Sequence, residues 1–88
     1  MPTIVVSSAW AEGGQTRFEV AEGPLPEVIK GFAEAHPAYR RRLLDESGEP
    51  KTFFNIYIDD ENVPRSERAA ATVTGDNVVT IIPPLAGG

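Results

Sequence analysis

The chain has 88 residues, 41% of them hydrophobic, enough for one small domain around a single sheet–helix interface and too few for a deep catalytic pocket. A formal charge of −5 argues against nucleic-acid binding, which sets Lys and Arg against phosphates, and against adsorption to an anionic membrane. The absence of cysteine excludes a disulfide framework, a zinc–thiolate site and a cysteine nucleophile.

In chain order, Met1 to Val6 carries neither the basic leader nor the long apolar run of a signal peptide, and no stretch is long enough to span a bilayer, so the expected location is cytoplasmic. Thr3 to Ala9 is apolar and β-branched and predicts a strand. Glu12-Gly13-Gly14-Gln15 is a turn signal, and Arg17 to Glu22 then alternates polar and apolar residues as a half-buried strand does. These two strands form an antiparallel hairpin.

Pro24 and Pro26 fall at the start of a helix, where their missing N–H groups cost nothing. Leu25, Val28, Ile29, Phe32 and Ala33 make one apolar stripe, and Pro37 ends the helix near His36. A shorter helical piece over 38–45 turns Leu43 and Leu44 inward. After the loop at 46–50, Phe53 to Ile58 is the strongest strand signal, with Phe54, Ile56 and Ile58 facing the helix and Phe53, Asn55 and Tyr57 the other side. Asp59 to Asn62 turns the chain, Val63 begins a short strand, and Pro64 to Thr72 reads as irregular. A tight turn at Thr74-Gly75-Asp76-Asn77 feeds the last strand, Val78 to Ile82. Pro83 and Pro84 cannot donate ladder hydrogen bonds, so the sheet ends there. The expected fold is α+β: a β-grasp domain over 1–82, with a mixed four- to five-stranded sheet, one main helix across it and a flexible tail at 83–88.

The tail ends in Leu85-Ala86-Gly87-Gly88. Two residues without a Cβ make a thin arm, and the α-carboxylate on Gly88, with a reference pKa of about 3.5, is ionised at neutral pH. Such an arm suits a substrate of an ATP-dependent activating enzyme. The element order, the strand Phe54-Asn55-Ile56-Tyr57-Ile58, and the run from Gly75-Asp76-Asn77-Val78-Val79 to the closing Pro83-Pro84-Leu85-Ala86-Gly87-Gly88 together resemble the ubiquitin-like sulfur carriers of the ThiS/MoaD type. Within that family, the strand and the ending look closest to the carriers that feed cysteine biosynthesis.

The resemblance implies a co-substrate, with no catalytic residue and no metal or cofactor of its own. An E1-like adenylating enzyme, using ATP and Mg²⁺, would activate Gly88, and a sulfur donor would convert it to a thiocarboxylate. A sulfur-accepting enzyme, cysteine synthase-like or thiazole synthase-like, would take the sulfur, and a processing metalloprotease is a further candidate partner. Molybdopterin, thiamin thiazole and sulfur-containing secondary metabolites are the other destinations the family allows. The alternative is a ubiquitin-like modifier or interaction module conjugated through Gly88.

In this scheme Gly87, Ala86 and Leu85 set how the tail sits in a partner, and Pro83 and Pro84 aim it. Ile82 points away from the helix, and with Val5 and Tyr57 it forms an apolar docking patch beside the tail. His36 reads as a helix-terminal histidine, Arg40-Arg41-Arg42 as a solvated helical face and Asp59-Asp60-Glu61 as a solvated turn. Trp10 is either a partner contact or a half-buried edge aromatic.

Overall fold

The computed structural model describes residues 1–11 and 13–84. Three strands carry the predicted alternation into a sheet. β1 (Thr3–Val6), β4 (Asn55–Ile58) and β7 (Val78–Ile82) bury Ile4, Val6, Ile56, Val79 and Ile81 on one face. β2 (Arg17–Glu19) and β5 (Glu61–Asn62) flank them, giving the order β2-β1-β7-β4-β5. The parallel pair β1–β7 sits at the centre, and every other pairing in this sheet is antiparallel. A second, two-stranded sheet pairs β3 (Gly23–Pro24) with β6 (Thr72–Val73).

Helix α1 (Leu25–Ala35) turns its stripe of Leu25, Val28, Ile29, Phe32 and Ala33 inward. Its N-cap, Pro24, makes no side-chain cap bond. The Leu25 N–H instead donates to the Ala71 carbonyl at 2.9 Å, so the short sheet takes over the capping role. Pro37 opens α2 (Pro37–Leu43), one residue ahead of the predicted start, and Tyr39, Leu43 and Leu44 complete the core. The result is the β-grasp arrangement expected from the sequence, with a Cα radius of gyration of 12.0 Å. None of the helices described is long and apolar enough to cross a membrane.

The departures from expectation fall in segments without apolar periodicity, which hydrogen bonds shape, several of them between residues distant in sequence. The first strand stops at Val6, where a turn closed by the Trp10 N–H on the Ser7 carbonyl at 2.9 Å begins, and the second stops at Glu19, before Gly23–Pro24 leaves to pair with Thr72–Val73. The segment expected to be irregular, 64–72, contains a 3-10 helix, Arg65–Ala70, with no buried residue of its own. Arg68 ties it down. Its guanidinium donates to the carbonyls of Phe54 (2.8 Å), Val63 (3.2 Å) and Thr52 (3.4 Å) and lies 5.9 Å over the Phe54 ring. Burial, and after it the neighbouring Arg65, pushes this guanidinium below its ordinary pKa. Arg68→Met keeps the stem and removes the bonds to the Phe54 and Val63 carbonyls, while Thr52 O keeps its bond from the Arg65 guanidinium. We expect a loss of about 1–2 kcal/mol, part of the charged-bond value being screened by solvent, read as a lower urea midpoint at unchanged m.

The acidic turn is also more than a solvated loop. Asp59 and Asp60 take positive φ (50° and 72°), as a two-residue hairpin turn between β4 and β5 requires. The Asp59 carboxylate then reaches across to β7, accepting the Val78 N–H at 2.8 Å and a bond from the Asn77 side-chain amide. The Asp59 N–H donates to the Val78 carbonyl at 2.9 Å. Gly75 (φ 57°) lies in the turn before β7, closed by Asn77 N–H to Thr74 O at 3.1 Å. Both devices fix the register with which the central strand begins.

Candidate functional site

The candidate site begins where β7 ends. Asn55 of β4 is the cross-strand partner of Ile82, the last strand residue, and β1 lies along the other side of β7. Pro83 is half-buried and Pro84 exposed. Neither has an N–H to continue a ladder, so the chain leaves the sheet from its middle strand. Leu85, Ala86, Gly87 and Gly88, the expected attachment point and its approach, lie outside the described residues.

Register decides which side chains accompany the exit. Val79 and Ile81 are fully buried beneath α1, so Val78, Thr80 and Ile82 face outward. Val5 and Tyr57 are both opposite Thr80, giving a row Val5–Thr80–Tyr57 across three strands. Ile82 stands one outward position further along β7 and is 40% exposed, whereas Val5 and Tyr57 are half-buried. The three residues expected to make a patch therefore share one sheet face, with the Thr80 hydroxyl between them. It is their grouping on one face, rather than the exposure of any one side chain, that marks a candidate interaction surface.

Phe53 is a further exposed large apolar side chain, just ahead of β4, and was read only as an outward-facing strand residue. It is 43% exposed and lies two residues before Asn55, at the tail end of the sheet. Its ring is tilted at 60° to Phe54, with the centroids 5.4 Å apart, and the Lys51 ammonium lies 5.8 Å from its centroid. The alternation Phe53, Asn55, Tyr57 carried the signal. What the sequence could not supply is the break of the strand before Asn55, which leaves the ring without a cross-strand neighbour.

The remaining singled-out residues are structural. Trp10 is buried, edge-on to Phe54 with centroids 6.4 Å apart, and the Arg42 guanidinium lies 5.4 Å over its ring. This settles the open alternatives: Trp10 closes the tail end of the core. His36 follows the last residue of α1, its ring between Phe18 (4.6 Å) and Phe32 (4.9 Å) in an aromatic cluster with Tyr39. Arg40, Arg41 and Arg42 are exposed on α2, the solvated face expected of them. Among the described residues no group of three or more His, Asp or Glu is placed to hold a metal ion.

The outward row on β4, β7 and β1 and the proline pair after Ile82 thus lie at the same end of the sheet. A family model described as the ThiS family matches residues 11–88. The chain is 35% identical over 78 residues to the sulfur carrier protein CysO of Mycobacterium tuberculosis, an overlap of 86% of this chain and 84% of that one. It matches a chain in the crystal structure of the Amycolatopsis orientalis BexX/CysO complex with a TM-score of 0.79 and 28% identity over the whole of both chains. The crystal structure of SAMP1 from Haloferax volcanii has the same fold, with a TM-score of 0.74, 18% identity and coverage of 99% of this chain and 98% of that one. Fold and site together define a ubiquitin-like β-grasp protein. The chain belongs to the ThiS family.

Proposed function

We propose that this chain is a sulfur carrier of the ThiS/CysO type, a protein co-substrate whose cargo rides on Gly88. The observation that carries the reading is the family match running through residue 88, on a chain whose central strand ends immediately before Pro83-Pro84-Leu85-Ala86-Gly87-Gly88. With Gly88 as the chain end, its carboxylate oxygen attacks the α-phosphorus of ATP bound with Mg²⁺ on an E1-like partner, and pyrophosphate leaves. Hydrosulfide then attacks the acyl carbon and AMP leaves, giving a terminal thiocarboxylate. That sulfur is a stronger nucleophile than the oxygen it replaces, and an accepting enzyme takes it. The absence of cysteine fits, since no internal thiol can intercept the acyl-adenylate.

The likeness to the M. tuberculosis sulfur carrier favours the cysteine branch, with a cysteine synthase-like acceptor ahead of a thiazole synthase-like one. The structure of a complex containing CysO supports recognition by a partner protein. Leu85, Ala86 and Gly87 would thread into the activating enzyme, with Pro83 and Pro84 setting the direction. Ile82, Tyr57 and Val5 would form the docking patch, and Phe53 would extend it.

This docking role has a direct test. Ile82→Lys places a charge in the patch at a position already 40% exposed, so the urea midpoint should hardly move. Loss of one interface anchor costs about 1.4 kcal/mol or more, which predicts a fall of about tenfold or more in kcat/KM for loading by the activating enzyme, mainly through KM. Wild-type kinetics for Ile82→Lys would remove the patch from the mechanism.

A further inference from the structure

A second surface lies at the other end of the molecule. Glu19 pairs with Thr3, which pairs with Val78, the first residue of β7, whereas the tail leaves after Ile82. Four residues of strand, about 13 Å, separate the two levels. Here the segment from β2 to β3 and helix α1 enclose a groove of about 320 Å³. Its apolar lining comes from Val20, Pro24, Val28 and Phe32, and Gly31 and Ala35 keep the helical wall low. Glu19, Glu22 and Glu27 line it; one Glu22 carboxylate oxygen accepts the Gly75 N–H, and Glu27 lies 3.8 Å from the Lys30 ammonium. Neither Lys nor Arg lines it.

The strand side is an open sheet edge. Thr3 donates to the Asn77 carbonyl at 3.0 Å, on the β7 side, so Thr3 and Glu19 are a pair without mutual hydrogen bonds. The N–H and C=O of Glu19 therefore point away from the sheet. One position earlier the edge is closed, because the Gln15 side-chain amide donates to the Arg17 carbonyl at 2.9 Å. Short open edges beside an apolar groove accept an added strand.

We infer that this groove docks an extended, cationic segment of a partner protein, which pairs its main chain with the β2 edge at Glu19, lays apolar side chains over Val28 and Phe32, and sets lysine or arginine against Glu22 and Glu27. Charge complementarity selects this occupant: a carboxylate-bearing segment would meet three glutamates, against which the lining sets only His36, with Lys30 beside Glu27. The groove lies at the opposite end of the sheet from Ile82, where β7 ends, and away from the outer sheet face, so such a segment leaves both free for another partner. The same carrier can then be held by one part of an assembly and acted on by another.

The probe is a short capped peptide alternating lysine and valine, titrated into isotope-labelled protein and followed by amide shifts, with the glutamate–valine peptide as control. Shifts should concentrate at residues 19–23 and 27–36, weaken with added salt, and be absent with the control. Glu19→Lys combined with Glu27→Lys should weaken binding about tenfold or more. Gly31→Leu should block it without unfolding the protein, since a Cβ at Gly31 meets no atom within 4 Å and leucine favours the helix over glycine. Shifts elsewhere, equal binding of the glutamate peptide, or undiminished binding by Gly31→Leu would overturn the proposal.

Discussion

Removing Gly88 alone should slow loading by about a hundredfold or more, although the shortened chain still ends in a glycine carboxylate. One residue of extended chain spans about 3.3–3.6 Å. Attack on the α-phosphorus needs the reacting atoms at about 3–3.5 Å, and misplacement by as little as 1 Å can cost about a hundredfold. With the domain docked through Ile82, Tyr57 and Val5 as proposed, and a stiff Pro83-Pro84 step that gives little slack, the Gly87 carboxylate would stop one residue short. The urea midpoint should not change, because the structural core ends at Ile81. Binding to the activating enzyme should persist, making the truncated chain a competitive inhibitor. Loading at the wild-type rate would place the reacting carboxylate somewhere other than Gly88.

The largest stability effect is expected at Phe54. Its side chain is fully buried, packs edge-on against Trp10 and lies under the Arg68 guanidinium. Truncating a buried phenylalanine to alanine costs about 3–5 kcal/mol, from lost transfer energy and from the cavity that remains. A domain of this size has a total stability of roughly 4–13 kcal/mol, so Phe54→Ala should leave a marginal fold. Trp10 is the sole tryptophan, and its emission reports the event. The urea midpoint should drop sharply and the native emission shift toward that of solvent-exposed indole. Loading should fall as well, because the Trp10–Phe54 contact shores up the end of the sheet from which the tail departs. A loss below about 1 kcal/mol would mean that Trp10 and Arg68 collapse onto the vacated space and that this end is more plastic than its packing implies.

Legibility in the sequence followed the physical signal at each segment. Val78 to Ile82 was read with its observed bounds, because an uninterrupted β-branched run meets a tight turn on one side and Pro83-Pro84 on the other. The stripe from Leu25 to Ala33 likewise fixed the inward face of α1. Arg65 to Ala70 carried no comparable signal. Its helix buries nothing, and the bonds from Arg68 to Thr52, Val63 and Phe54 span 5 to 16 residues of sequence. Asp59 was invisible in the same way, since its partner Val78 stands 19 residues on.

At the candidate site, alternation placed Ile82, Val5 and Tyr57 on one face, and the pairing register brought them together. The acidic groove was not legible. It is assembled from the end of one strand and the middle of a helix, and neither segment is unusual by itself.

The central claim is that sulfur is carried on the Gly88 carboxylate. The most direct measurement is the intact mass of the chain after incubation with its activating enzyme, ATP, Mg²⁺ and sulfide, followed by fragmentation to locate the change. The account predicts a gain equal to one oxygen-to-sulfur exchange, confined to the C-terminal residue and dependent on ATP. An unchanged mass with a competent activating enzyme, or an exchange found anywhere but Gly88, would contradict it.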